Sequence, residues 1–112
     1  MTQIRTCLAI FGIVLVLPAA HAQVNADAAR ALAEKRMCLA CHKPEEKSMG
    51  PSMRDMAKKY QGVAGAQAVI MTRMRNGSKG IWGNTAMAPV SKEVSEEDLK
   101  AMVAWMLAPS SR

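Results

Sequence analysis

Four stretches of the chain place apolar residues at helical spacing, and none shows the strict alternation of a half-buried strand. Asn25 is positioned to cap a helix starting at Ala26, with Asp27 in its first turn; Ala28, Leu32, Ala33 and Arg36 follow toward Cys38, so the run from Cys38 to His42 is expected to ride on the end of this helix. Ser52 with Asp55 has the form of a capping box, which opens a second helix through about Tyr60 that Gly62 stops. A third is expected from about Gly65 through Arg75, with Val69, Ile70 and Met74 inward and Asn76-Gly77 as its stop. The last is the best signalled. Ser95 caps it, Asp98 closes the box, and Glu96 and Glu97 complement the helix dipole. Leu99, Met102, Val103, Met106 and Leu107 form its apolar stripe, which should pack against the first helix. The pattern predicts an all-α domain of about four helices without repeats, heptads or low-complexity segments.

Two connections are long. Lys43 to Gly50 is a charged loop closed by Met49-Gly50-Pro51, and Ser78 to Val94 is an irregular one containing Gly80 and Gly83. Loops of the second length in compact domains are usually functional.

The first residues follow other rules. Arg5 supplies a positive start, Leu8 to Leu17 is apolar, and Pro18 with Ala20-His21-Ala22 fits a small-residue cleavage site, so residues 1–22 are expected to be a secretory signal peptide and 23–112 the mature domain. The apolar run is short for about 30 Å of hydrocarbon, which leaves an uncleaved anchor as the weaker alternative. Cys7 precedes the run, so it is not placed for lipoprotein processing. The whole chain carries a net charge of +6, and loss of the leader with Arg5 lowers it by one. Such an excess can steer an acidic partner or an anionic surface, or simply solvate the protein. Lys and Arg are spread without a nucleic-acid-binding motif.

Chemistry concentrates in Cys38-Leu39-Ala40-Cys41-His42. Two thiols one helical turn apart face the same way, each able to add to a vinyl group of haem, and the next residue offers an imidazole to the iron. A zinc site would need a second ligand pair, and the other candidates, Cys7 and His21, lie in the predicted leader. A redox dithiol wants a βαβ context that is missing here. A structural disulfide would leave the adjacent His unexplained. The motif is therefore read as the attachment site of one haem c. A mature chain of about 90 residues buries only some 60–65% of its unfolded surface, and an apolar cofactor would supply much of the missing core.

His42 is the only histidine in the expected mature chain, so a second axial ligand must be of another type. A thioether is the usual partner of His in haem electron carriers. Of the ten methionines, most fall on helix stripes or beside the motif, where Met is a gap-filler. Met87 differs: it lies in the long loop, in Ala86-Met87-Ala88-Pro89, where backbone can approach the iron and proline can stiffen the approach. It is assigned the sixth coordination place.

From Cys38 to about Ala108 the chain resembles the small bacterial class ID monohaem cytochromes c, of the cytochrome c five-fifty-one type. The matching stretches are the haem motif, Met49-Gly50-Pro51, Tyr60, Arg75-Asn76-Gly77-Ser78-Lys79-Gly80-Ile81-Trp82-Gly83, Met87 with Pro89, and Val94-Ser95 leading to Trp105. The resemblance implies a small class I cytochrome c fold around one covalent haem, with His42 and Met87 axial. It also implies that the Pro51 carbonyl accepts a hydrogen bond from the proximal imidazole and that Arg73 and Trp82 meet the haem propionates. Plainer roles stand beside these: a helix start for Pro51, an exposed position for Arg73, and core aromatics for Trp82 and Trp105. Relatives commonly follow the ligand Met with a pair of prolines and an Asn. Here Ala88, Pro89 and Val90 follow Met87, with added residues among Val90 to Glu93.

The expected function is one-electron transfer in the periplasm, with transient redox partners: a membrane-bound donor complex and a terminal reductase or oxidase. Lys43, Lys47, Lys79 and Lys92 are candidate rim charges. The alternatives are a haem sensor or peroxidase-like enzyme with a displaceable Met87, and a haem subunit docked to a larger enzyme.

Overall fold

The computed structural model describes residues 20–108, and side chains from Asn25 onward. The apolar run of the predicted leader lies outside the described residues. The helices are α1 (Ala20–Lys35), α2 (Cys38–Cys41), α3 (Met53–Tyr60), α4 (Ala66–Asn76) and α5 (Glu96–Leu107). No strand occurs among the described residues; a single isolated antiparallel bridge joins Ser78 and Met87. None of the described helices is long and apolar enough to cross a membrane.

Helix α5 is the hub, packing on α1, α3 and α4. Its stripe is buried at Leu99, Met102, Val103, Trp105 and Met106, with Leu99 fully inaccessible. Ala29 and Ala33, one turn apart on α1, bury their small side chains in the same core and let the two helices approach closely. Ile70 of α4 and Met53 of α3 complete it. Both serine caps form as their spacing predicts: Ser52 accepts from the Asp55 amide and Ser95 from the Asp98 amide, each at 3.0 Å.

Three local expectations need correction. Helix α1 starts at Ala20, so Asn25 lies within it and does not cap it; residues 20–24 hold no Gly or Pro to stop a helix from extending upstream. The haem motif does not continue this helix. Met37 adopts the left-handed conformation (φ 62°, ψ 16°), which breaks the chain's path and starts α2 as a separate turn. On α4 the buried positions are Ala66 and Ile70, while Val69 is 41% exposed: a residue one position back from Ile70 points about 100° away around the helix.

Candidate haem site

Helix α2 is one turn, and Cys38 and Cys41 at its two ends project on the same side. Both thiols are free and half-buried. Burial pushes the Cys38 thiol above its ordinary value, and the neighbouring Cys41 adds to the effect against a backbone hydrogen bond that opposes it. The His42 amide bonds to the Cys38 carbonyl at 2.9 Å, so the imidazole leaves the helix at its C-terminal end.

Loop 43–50 then folds back under this imidazole. The Gly50 amide donates to the Cys41 carbonyl at 3.0 Å and the Met53 amide to the Lys43 carbonyl at 2.9 Å. That return places the Pro51 carbonyl 2.9 Å from His42 Nδ1. A carbonyl can only accept, so Nδ1 carries the proton and donates, leaving the Nε2 lone pair available for a metal. Gly50 is required by the same approach. A methyl carbon there would stand 2.6 Å from His42 Cε1 and 2.9 Å from Nδ1.

The opposite part of the site comes from α4 and the loop after it. Met87 is tied to Ser78 by two reciprocal backbone bonds, Met87 N–H to the Ser78 carbonyl at 2.8 Å and Ser78 N–H to the Met87 carbonyl at 3.1 Å. Gly77 (φ 74°) makes the turn that permits this: a Cβ on it would lie 2.8 Å from the Met87 carbonyl. Arg73 donates a hydrogen bond to the Tyr60 hydroxyl and lies over that ring, while the Lys59 ammonium sits 5.2 Å from the centre of the Trp82 indole.

All seven residues singled out from the sequence, namely Cys38, Cys41, His42, Pro51, Arg73, Trp82 and Met87, line one cavity of about 540 Å³. Ile70, Met53, Met56, Met74, Met102 and Val103 supply much of its remaining wall, and Met37 and Met49 stand strongly exposed on its lining. The volume falls in the range of cofactor pockets. Its donor set fits a haem: paired thiols on one turn, an imidazole with its distal nitrogen free, apolar walls for a macrocycle, and Arg and indole N–H groups for carboxylates. Among the described residues no group of three or more His, Cys, Asp or Glu is placed to hold a bare metal ion. The buried Arg36 Nε in the same wall has no hydrogen-bond partner. Sequence reasoning gave no role in the site to Gly50 or to the Tyr60 hydroxyl, since each acts through a contact distant in the chain.

A family model described as cytochrome c oxidase, cbb3-type, subunit III matches residues 24–106. The chain belongs to the cytochrome c family. It is a small monohaem class I cytochrome c, an electron-transport protein with one covalently attached haem c, and Cys38 and Cys41 stand at the spacing that attachment needs. This cytochrome is 46% identical over 77 residues to the cytochrome c2 of Rubrivivax gelatinosus, covering 68% of this chain and 91% of that one. It is 38% identical over 100 residues to the cytochrome c-552 of Nitrosomonas europaea, covering 89% of this chain and 92% of the relative. The crystal structure of wild-type Nitrosomonas europaea cytochrome c552 superposes with a TM-score of 0.66 at 38% identity, over 70% of this chain and 95% of that one. The all-α class I fold follows from both the helices and this neighbour.

Proposed function

We propose that this cytochrome c is a periplasmic one-electron carrier in which thioethers from Cys38 and Cys41 hold the haem and His42 and Met87 coordinate its iron. The observation that carries the reading is the pairing of two differently prepared donors in one cavity. His42 has its Nδ1 proton committed to Pro51, and Met87 has its backbone committed to Ser78. When bound, the haem supplies the one-electron couple. The protein's part is to keep both axial groups in place, so that no substrate reaches the metal and little reorganises as charge changes. The Pro51 carbonyl orients the imidazole and raises its basicity. Arg73, held by Tyr60, and Trp82, stacked under Lys59, are placed to receive the propionates.

Residues 1–22 act as the export leader, and the mature protein begins near Gln23. Its partners are a membrane-bound donor complex and a terminal reductase or oxidase, met transiently at the cavity rim where Met37 and Met49 are exposed. The exposed Lys43, Lys47, Lys79 and Lys92 offer charge for steering. A docked haem subunit is the second reading, favoured by the description of the matching family model. Against it stands the near-complete coverage of relatives described simply as cytochromes.

The test is a reductive titration of the purified holoprotein combined with gel filtration and carbon monoxide and cyanide binding at neutral pH. A small monomer with one reversible one-electron couple and weak binding of both ligands supports the carrier. Avid binding in the wild type supports the sensor or peroxidase reading, and elution within a large complex supports the subunit.

A further inference from the structure

The segment that follows Met87 has few anchors of its own. Ala88 and Pro89 are exposed, Val90 N–H donates to the Met74 carbonyl at 2.7 Å, and residues 91–94 form a turn closed by Val94 N–H to the Ser91 carbonyl at 3.1 Å. Both ends of that turn are gripped by one side chain. Arg75, in the last turn of α4, donates from Nη1 to the Ser91 carbonyl at 3.1 Å and from Nη2 to the Val94 carbonyl at 2.5 Å. Nη2 also reaches Glu96 Oε2 at 3.4 Å, in the first turn of α5. The Arg75 side chain is only 25% exposed and Val94 is fully buried, so the bond to the Val94 carbonyl is the sheltered one, while those to Ser91 and Glu96 lie exposed.

Geometry explains the residue type. Two carbonyls and a carboxylate separated along the chain need a planar fork of several donors, which a Lys ammonium cannot present. The fork sits two residues before Gly77, whose turn leads into the Ser78–Met87 pair. Met87 is therefore held by its own pairing with Ser78, just past the end of α4, and by the attachment of the residues after it to Met74 and Arg75 of α4.

We propose that Arg75 is a positioning residue for the Met87 ligand, setting how often the loop opens far enough for the thioether to leave the iron. The proposal rests on Met87 being the sixth ligand. Breaking the fork frees the 91–94 turn and strips the Val94 carbonyl of its donor. Local opening of residues 88–94 then becomes more frequent while the core around Leu99 stays folded.

The experiment follows imidazole binding to the ferric holoprotein by stopped flow, since imidazole enters only when Met87 has left. Arg75→Gln is expected to raise the observed binding rate by about tenfold or more, the ratio that one lost charge-assisted hydrogen bond implies. Arg75→Lys should fall between it and the wild type. Gln67→Ala is the control: Gln67 Nε2 donates to the Lys100 carbonyl at 3.1 Å and ties the same two helices at the other end of α4. It should lower the melting temperature without changing the imidazole rate. An Arg75→Gln rate equal to the wild type, or a Gln67→Ala rate raised as much, overturns the proposal. Met87→Ala separates the two layers. If it is low-spin and unchanged, the ligand assignment itself fails; if it is high-spin while Arg75→Gln behaves as wild type, only the role of Arg75 fails.

Discussion

Replacing Gly50 by Ala puts one methyl group where the structure leaves no room. The new carbon would stand 2.6 Å from His42 Cε1, whereas carbon atoms rest at about 3.5–4.0 Å, so something must yield by roughly 1 Å. The backbone is poorly free to retreat. Gly50 N–H is bonded to the Cys41 carbonyl at 3.0 Å, its own carbonyl accepts from the Ser48 amide at 3.1 Å, and Pro51 follows it. The imidazole is the softer party, and a shift of that size breaks its 2.9 Å bond to Pro51. Overpacking of this kind costs about 1–3 kcal/mol, and the lost hydrogen bond adds about 0.5–1.5 kcal/mol. For a domain of this size the melting temperature should fall by roughly 6–36 °C. An imidazole relieved of that bond is a weaker donor and favours ferric iron less, so the reduction potential should rise, by at most about 20–60 mV. Gly62→Ala is the companion. Its φ is +71° with nothing within 4 Å, so it should cost about 1–2 kcal/mol through backbone strain alone and leave the potential unchanged. Thermal unfolding and voltammetry of both variants decide the matter. A Gly50→Ala protein with wild-type melting and potential would refute the claim that this glycine holds the His42–Pro51 geometry.

Other outcomes follow from the same structure. Ser52→Ala removes a fully buried cap and should cost about 1 kcal/mol, seen as a melting temperature lower by about 4–8 °C. Leu99→Ala opens a cavity at the hub of the core and should cost about 2–5 kcal/mol in denaturant unfolding; a loss below about 1 kcal/mol would mean that α5 is not the hub. His42→Ala should yield no holoprotein with a measurable one-electron couple, and recovery of a normal couple would remove His42 from the iron.

What the sequence made legible was the part written in short-range rules. The serine caps are Ser-x-x-Asp boxes, the α5 stripe repeats at helical period, and the thiol pair with its imidazole needs a fixed spacing to work. What it concealed depends on partners far apart in the chain. Nothing local marks Arg75 as reaching Ser91 and Val94, or Gly50 as lying under the His42 ring. Met37 could not be foreseen in a left-handed conformation, because methionine has no preference for it. Val69 and Ile70 are adjacent and equally apolar, and only the position of α5 decides which one is buried.

The most direct test of the axial pair uses ferrous protein labelled with ¹³C at the methionine methyls. With ten methionines in the chain and several around the cavity, the haem ring current acts as a ruler, since only a methyl bound over the iron is driven far upfield. One methyl resonance should be displaced in this way, and it should vanish in Met87→Ala. A displaced signal that survives the substitution, or a spectrum with none displaced, would contradict the account.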